Sequence, residues 1–450
     1  MASNYVLIER IELNASTASI TFANIPQTGY TDLKIVASMR CSTANTAAAI
    51  RFNNDTASNY SSKRLGGDST AAYSGSTSSI TQLQWLIIPF ASATANTYGN
   101  AEIYIPNYLS TSNTKSLSFD SVSENNSTAK DAANIELNAG LWSKTPEAIN
   151  SVTILSGGGD LVAGSTFSLY GVAALGTTPT IAPKATGGNT ITTDGTYWYH
   201  AFLSSGTFTP LSSLSCDILT IAGGGAGGRG GGGAGGLVYA SAQTVAASAQ
   251  TITIGAGGAQ RTSDGAGLSN PGSNSQFASL TAAVGGGAAA GYSVNGGTGG
   301  SGGGAGWGNG SYSGGSATSG QGNAGGNNGN GDCGGGGGGA GATGANGATG
   351  NPGVGGAGLS TYSSWGSATG TGQNVTGTYW FAGGGGASGN TSQSNRSGGN
   401  GGGGTGVSSV GGTPTAGTAN TGGGGGGGSG STAIGGAAGG SGIIIVRYAV

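Results

Sequence analysis

Over roughly the first 175 residues, short runs alternate apolar and polar side chains with period two. They are Ile20-Thr21-Phe22, Leu33-Lys34-Ile35, Ile50-Arg51-Phe52, Leu83-Gln84-Trp85-Leu86-Ile87, Ile103-Tyr104-Ile105, Leu117-Ser118-Phe119, Ile135-Glu136-Leu137, Val152-Thr153-Ile154 and Phe167-Ser168-Leu169. Such alternation sends every second side chain to one face, as a strand with one buried side requires. Asn, Gly, Asp, Ser and Pro separate the runs and supply the turns. The spacing predicts an antiparallel β-sandwich, jelly-roll-like, over residues 1–176, with roughly nine or ten strands. No stretch of this region sustains a helical period.

The pattern changes after a Pro- and Gly-containing linker at residues 177–189. In residues 190–450 apolar strands bracket a body that has almost none. Tyr197-Trp198-Tyr199-His200-Ala201-Phe202, Thr207-Phe208-Thr209 and the run from Cys216 to Ala222 come first. Leu237-Val238-Tyr239, Thr251-Ile252-Thr253-Ile254 and residues 277–284 follow. Ile443-Ile444-Ile445-Val446-Arg447-Tyr448 closes the chain. That last strand is expected to pair with an early one near residues 217–222 and so clamp the ends of everything between.

Composition explains what lies between. Of 101 Gly in 450 residues, 15 fall in residues 1–200 and 86 in residues 201–450. Fixing Gly costs about 0.5–1 kcal/mol more backbone entropy than fixing Ala, and Gly has no side chain to bury in return. Only backbone hydrogen bonds and close backbone packing can offset that. Between Gly335 and Gly356 every third residue is Gly. Three residues per turn is the period of an extended left-handed helix. Helices of this kind, with Gly on the contacting edges, form polyglycine II bundles, so the expected fold is all-β with packed polyglycine II helices in the second half. A collagen-like trimer also needs Gly at every third position, but Pro352 is the only Pro in that run and the register breaks at Leu359. A flexible linker is the other reading, against which stand Val284, Tyr292, Trp307, Trp365, Trp380 and Phe381.

Charge and motif content narrow the chemistry. The net charge is −2 with no basic block, which argues against nucleic acid as a partner. Glu9, Arg10 and Glu12 stand where a signal peptide needs an apolar core, and no apolar run is long enough for membrane insertion. Synthesis in a cytoplasm without a signal peptide is expected. Cys41, Cys216 and Cys333 are odd in number and far apart, suggesting neither a disulfide framework nor a zinc site. The single His, His200, leaves no Ser-His-Asp set within the first domain. Asp55, Asp68, Glu124 and Asp131 read as solvated loop charges rather than a glycosidase pair. GxGxxG recurs by composition alone, and Asp332 in Gly329-Asn330-Gly331-Asp332 is too isolated for a calcium repeat. No catalytic residue, metal ligand or cofactor site is expected.

The ordered phrases YWYHAF, SSGTFTP, CDILTIAGGGAGG, GGLVY, TITIGAGG, SNSQFASLTAAVGGGAA and GGSGIIIVRYAV resemble the glycine-rich domains of tailed-bacteriophage tail fibres and adhesins, over roughly residues 190–450. The first domain is a weaker match, its ending STFSLYGVAAL resembling β-rich modules of phage virion proteins. The resemblance implies a non-enzymatic virion protein on the tail or capsid exterior, with loops on a polyglycine II sandwich that bind a host cell-surface glycan or an outer-membrane protein. It implies other virion proteins as partners and a homotrimer as one assembly, although a polyglycine bundle can also fold within one chain. A capsid-decorating or head-fibre protein is the alternative, and a polysaccharide depolymerase a further one disfavoured by the scarcity of acidic residues after Glu147. The candidate receptor contacts are the aromatics of the second half: Tyr292, Trp307 and Tyr312; Tyr362 and Trp365; Tyr379, Trp380 and Phe381. Their rings can stack on the apolar faces of sugars. The competing role for each is to staple the edge of a bundle that lacks other apolar mass.

Overall fold

The computed structural model describes residues 5–43, 47–68, 70–124, 134–144, 146–173, 182–262, 265–329, 331–390, 394–408, 412–428 and 435–450. Residues 177–181 of the expected linker, Asp131 and Asn330 lie outside the described residues. The fold is mostly β, as the alternation predicts. The chain divides into two compact units: residues 1–183 with 189–198 and 450, and residues 184–188 with 199–449.

Among the described residues up to 173, the first unit holds twelve strands: β1 (Tyr5–Glu12), β2 (Ser19–Phe22), β3 (Tyr30–Met39), β4 (Ala48–Phe52), β5 (Tyr60–Gly67), β6 (Ala72–Ile80), β7 (Leu83–Leu86), β8 (Gly99–Ile105), β9 (Lys115–Ser123), β10 (Asn134–Trp142), β11 (Val152–Leu155) and β12 (Thr166–Ala173). Eight of them lie in two antiparallel sheets of order β1-β12-β3-β8 and β2-β11-β4-β7. Among these eight, successive strands alternate between the sheets except β4 and β7, which pair within one, the connectivity of a jelly roll. Strands β9-β10-β5-β6 continue the first sheet beyond β8. Beside β1, Thr190–Thr193 adds a further strand, Arg10 opposite Ile191. The core forms where the inward faces meet: Phe22, Ile50, Phe52, Val152 and Ile154 from one sheet, Leu33, Ile35, Ile103, Phe167 and Leu169 from the other. A bulge in β1 between Leu7 and Glu9 breaks the alternation. Glu9 is buried, and burial pushes its carboxyl up to about 8.

In the second unit the last strand does clamp the body. Ile443–Ala449 pairs antiparallel with Leu214–Ile221, Asp217 opposite Arg447 and Ile221 opposite Ile443. Leu214–Ile221 pairs in turn with Leu237–Val245. A smaller sheet runs Ala185–Thr186, Gly206–Pro210, Gln250–Thr253, Gln276–Phe277. One helix, α1 (Ser363–Thr369), occurs among the described residues.

The glycine body is an up-and-down bundle of extended segments with a three-residue hydrogen-bond period. Residues 230–236 show the geometry. The N–H groups of Gly230, Gly233 and Gly236 donate to the carbonyls of Ala290, Gly287 and Val284 at 3.1, 2.9 and 2.8 Å. Those of Gly231 and Ala234 donate to Gly335 and Gly338, and those of Gly232 and Gly235 to Gly425 and Gly422. N–H groups three residues apart therefore address the same neighbour, as a helix of three residues per turn dictates. Carbonyls do likewise: Gly236, Gly233 and Gly230 accept from Ala222, Gly225 and Gly228; Gly231 and Ala234 accept from Gly304 and Ser301; and Gly232 accepts from Gly385. Residues 230–236 thus have six hydrogen-bonded neighbours, the arrangement of polyglycine II. A Cβ on Gly232 would sit 2.1 Å from the Gly225 carbonyl oxygen, and one on Gly337 1.9 Å from that of Gly232. Only Gly permits this approach.

The period-three run from Gly335 to Gly356 is therefore not one long helix. The Gly339 N–H donates to Ala342 and the chain turns there; it turns again where Ala348 and Asn351 exchange hydrogen bonds. The register persists through both turns, so the sequence period marks three adjacent segments.

Candidate functional site

Because the segments run up and down, most side chains of the glycine unit larger than alanine collect at the two ends of the bundle. Asparagines join neighbouring loops at one end. The Asn295 Oδ1 accepts from the Ser313 N–H at 2.9 Å, the Asn327 Oδ1 from Gly314 at 3.0 Å, the Asn328 Oδ1 from Tyr312 at 2.7 Å and the Asn346 Oδ1 from Asn327 at 2.8 Å. Each takes up a backbone donor that a turning segment would otherwise leave without a protein partner. Motif and charge content do not single these residues out; the signal that finds them is an Asn beside the reversals of the Gly runs at this end.

Three of the eight aromatic candidates sit at this end. Trp307 is buried, its ring 3.8 Å from the Arg229 guanidinium carbon, and Tyr292 covers the same guanidinium at 4.4 Å. Arg229 is itself buried, so the two rings form its cation–π walls. The Trp307 Nε1 donates to Ser388 Oγ at 3.4 Å, and Ser388 bridges the carbonyls of Arg229 and Gly428. Trp307 is thus enclosed by protein, whereas Tyr292 is 36% exposed. Tyr312 is half-buried, its hydroxyl donating to the Asn309 carbonyl.

The other five sit towards the clamping sheet. Helix α1 lays Trp365 against Tyr199, Tyr239 and Tyr362, with ring centroids 6.0, 6.0 and 5.8 Å away. Arg447 covers the Trp365 ring at 4.4 Å and binds the Asp217 carboxylate through two nitrogens at 2.9 and 3.0 Å. Burial opposes ionisation of Asp217, yet the Ala242 N–H and Arg447 hold its carboxyl below the usual range. Trp365 and Phe381 are buried. Phe381 exchanges backbone hydrogen bonds with Leu359 at 3.0 and 2.9 Å. Tyr379 and Trp380 are half-buried on a hairpin of Gln373–Val375 and Thr378–Trp380 that packs on α1 through the Tyr379 N–H and Ser363 Oγ.

Beside this cluster lies an open groove of about 460 Å³, lined by Leu237, Tyr239, Gly320, Gln321, Gly322, Asn323, Ala340, Leu359 and Tyr362. The Tyr239 and Tyr362 rings lie 5.3 Å apart, and Tyr239 is 40% exposed. Burial raises both hydroxyls above the ordinary tyrosine value. In the sequence Tyr239 marks only part of a strand; alternation along Leu237–Val245 is what turns it outward.

His200 is fully buried. Its Nδ1 lies 2.6 Å from the Gly187 carbonyl oxygen, its Nε2 2.9 Å from the Tyr448 hydroxyl, and burial lowers it to about 4, so it is neutral and structural at pH 7. Among the described residues no group of three or more His, Cys, Asp or Glu is placed to hold a metal ion, and no helix is long and apolar enough to cross a membrane. All three cysteines are buried and unbridged.

Residues 203–449 match the family described as Glycine-rich domain, and the chain belongs to that family. No curated protein and no solved structure matches it.

Proposed function

We propose that this chain is a virion protein of a tailed bacteriophage that attaches the particle to the host surface, with the jelly-roll unit joined to other virion proteins and the glycine unit presenting the contact residues. The observation that carries the reading is the division of labour in the glycine unit. Its interior is a nearly uncharged bundle of backbone hydrogen bonds, and its half-buried or exposed aromatics, Tyr292, Tyr312, Tyr362, Tyr379 and Trp380, stand among Asn, Ser and Thr at the ends of that bundle. A stiff support lowers the entropy lost on binding, and rings with few rotatable bonds lower it further. Neutral polar neighbours suit a glycan or a polar protein loop. The ordered sequence phrases shared with tail adhesins support the same assignment.

The test is adsorption. Particles carrying the chain without residues 199–449 should assemble normally and fail to adsorb to host cells. Normal adsorption by such particles would remove the proposal.

A further inference from the structure

The geometry points to the groove between Tyr239 and Tyr362 as a binding site for a neutral saccharide. Two adjacent rings form one wall, and both are held from behind: Tyr362 and Tyr239 meet Trp365 edge-on, and Arg447 covers the Trp365 ring in turn. A ring fixed this way offers its face at little rotamer cost. The groove is also lined by amides whose positions the fold dictates. Asn323 Nδ2 donates to the carbonyls of Gly339 at 2.9 Å and Ala340 at 3.0 Å. Gln321 Nε2 donates to Ala282, and its Oε1 accepts from Val284 at 2.8 Å. With both Asn323 amide hydrogens engaged, its side chain keeps oxygen lone pairs for an occupant, and Gln321 keeps one Oε1 lone pair and one Nε2 hydrogen. An apolar ring face beside neutral amides that mostly accept fits a ligand that has an apolar face and both donates and accepts through hydroxyls.

Charge sets the class. No Lys, Arg, Asp or Glu lines the groove, and the Asp217 and Arg447 of the adjoining cluster bind each other. Acceptors without a cation disfavour a carboxylated or sulfated sugar, whose charge would be desolvated without a partner. The volume accommodates about one to three sugar rings, within the ordinary range of small-ligand sites. This assignment deepens the attachment reading by naming the ligand of one face.

Trp365 provides the readout because its ring borders both tyrosines. Titration of the full chain with maltotriose and chitotriose as neutral probes, and with trigalacturonate as the acidic counterpart, should change tryptophan emission with a neutral probe, with the acidic one at least about tenfold weaker, and the change should be absent from Trp365→Phe. Tyr362→Leu, which keeps apolar volume against Trp365, and Tyr239→Leu should each weaken binding by about threefold to tenfold. Ala340→Phe, which fills the groove and removes no contact, should abolish it. Absence of a response to both neutral probes, equal affinity for the acidic one, or unchanged affinity in Ala340→Phe would overturn the assignment. Sugar binding by the unaltered chain that is lost in the groove variants, while those variants adsorb to host normally, would leave the saccharide site standing and remove only its part in attachment.

Discussion

Phe167 and Gly232 are both buried interior residues, and almost nothing else about them agrees. Phe167 is buried because the facing sheets of the jelly roll bring apolar side chains against it. Gly232 is buried because neighbouring backbones crowd it: its N–H goes to Gly425, its carbonyl takes the Gly385 N–H, and the Gly225 carbonyl stands where a Cβ would be. The first unit gains stability from side-chain area removed from water, the second from hydrogen bonds that each contribute about 0.5–1.5 kcal/mol net and from close packing. The difference teaches where each unit tolerates change. A side-chain core accepts small losses of volume at moderate cost, whereas the backbone core holds a methyl at positions such as Ala226 and Ala234 and has no room for one at Gly232 or Gly337.

Substitution should expose this first at the glycine unit's centre. Gly232→Ala and Gly337→Ala force backbones apart and break buried hydrogen bonds, with an expected loss of about 4–6 kcal/mol. Thermal unfolding followed by calorimetry should show the glycine-unit transition lowered or lost and the jelly-roll transition retained. The matching change in the first unit, Phe167→Ala, deletes a whole ring and should cost about 3–5 kcal/mol. If one added methyl in the glycine unit costs less than about 1 kcal/mol, the backbone core as described is wrong.

The two units should also answer pH in opposite directions. The Glu9 carboxyl in the first unit is raised to about 8 by burial. Its proton is kept in the folded state and lost on unfolding between the ordinary value near 4.5 and 8, so stability falls as pH rises through that window. In the second unit His200 is lowered from 6.5 to about 4, so the unfolded chain takes up a proton first and stability falls as pH drops from 6.5 towards 4. Glu9→Gln should raise the jelly-roll transition by at least about 3 °C at pH 8 and by less at pH 5. A rise of equal size at both values would show that Glu9 is not held protonated.

The smallest effects belong to the loops. Asn346→Ala removes one acceptor for the Asn327 N–H and should cost about 1 kcal/mol, a shift of about 2–4 °C.

Much of this architecture is legible in the chain, for reasons that also explain the gaps. Strands β2, β3, β4, β7, β8, β9, β11 and β12 announce themselves because their buried faces are largely apolar, whereas β10 alternates in the opposite sense to the one expected: Ile135 and Leu137 are exposed and Glu136 and Asn138 are buried. Strands β5 and β6 do not announce themselves, being built of Ser, Gly and Thr, with the inward positions Arg64 and Glu136 of β5 and β10 closed by Tyr73 and Trp85 in place of an apolar face. The clamp of Leu214–Ile221 by Ile443–Ala449 is readable from two apolar strands bracketing a body poor in apolar side chains. The reversals inside the polyglycine bundle are not, because period three runs through the turn at Ala340 unchanged. At the candidate site, sequence singles out the aromatics yet does not separate Trp307, Trp365 and Phe381, which pack inward, from Tyr292 and Tyr362, which keep an open face. Nor does it bring in Tyr239, whose exposure depends on a strand register fixed by Leu214–Ile221.

The backbone core is tested most directly by hydrogen–deuterium exchange of the intact chain. Amides in residues 223–236, 284–290, 335–338 and 422–427 should be protected at least as strongly as those of β3 and β12, because nearly all of them donate to a buried neighbouring carbonyl. Exchange of those glycine segments at the rate of a free chain, with β3 and β12 protected, would contradict it.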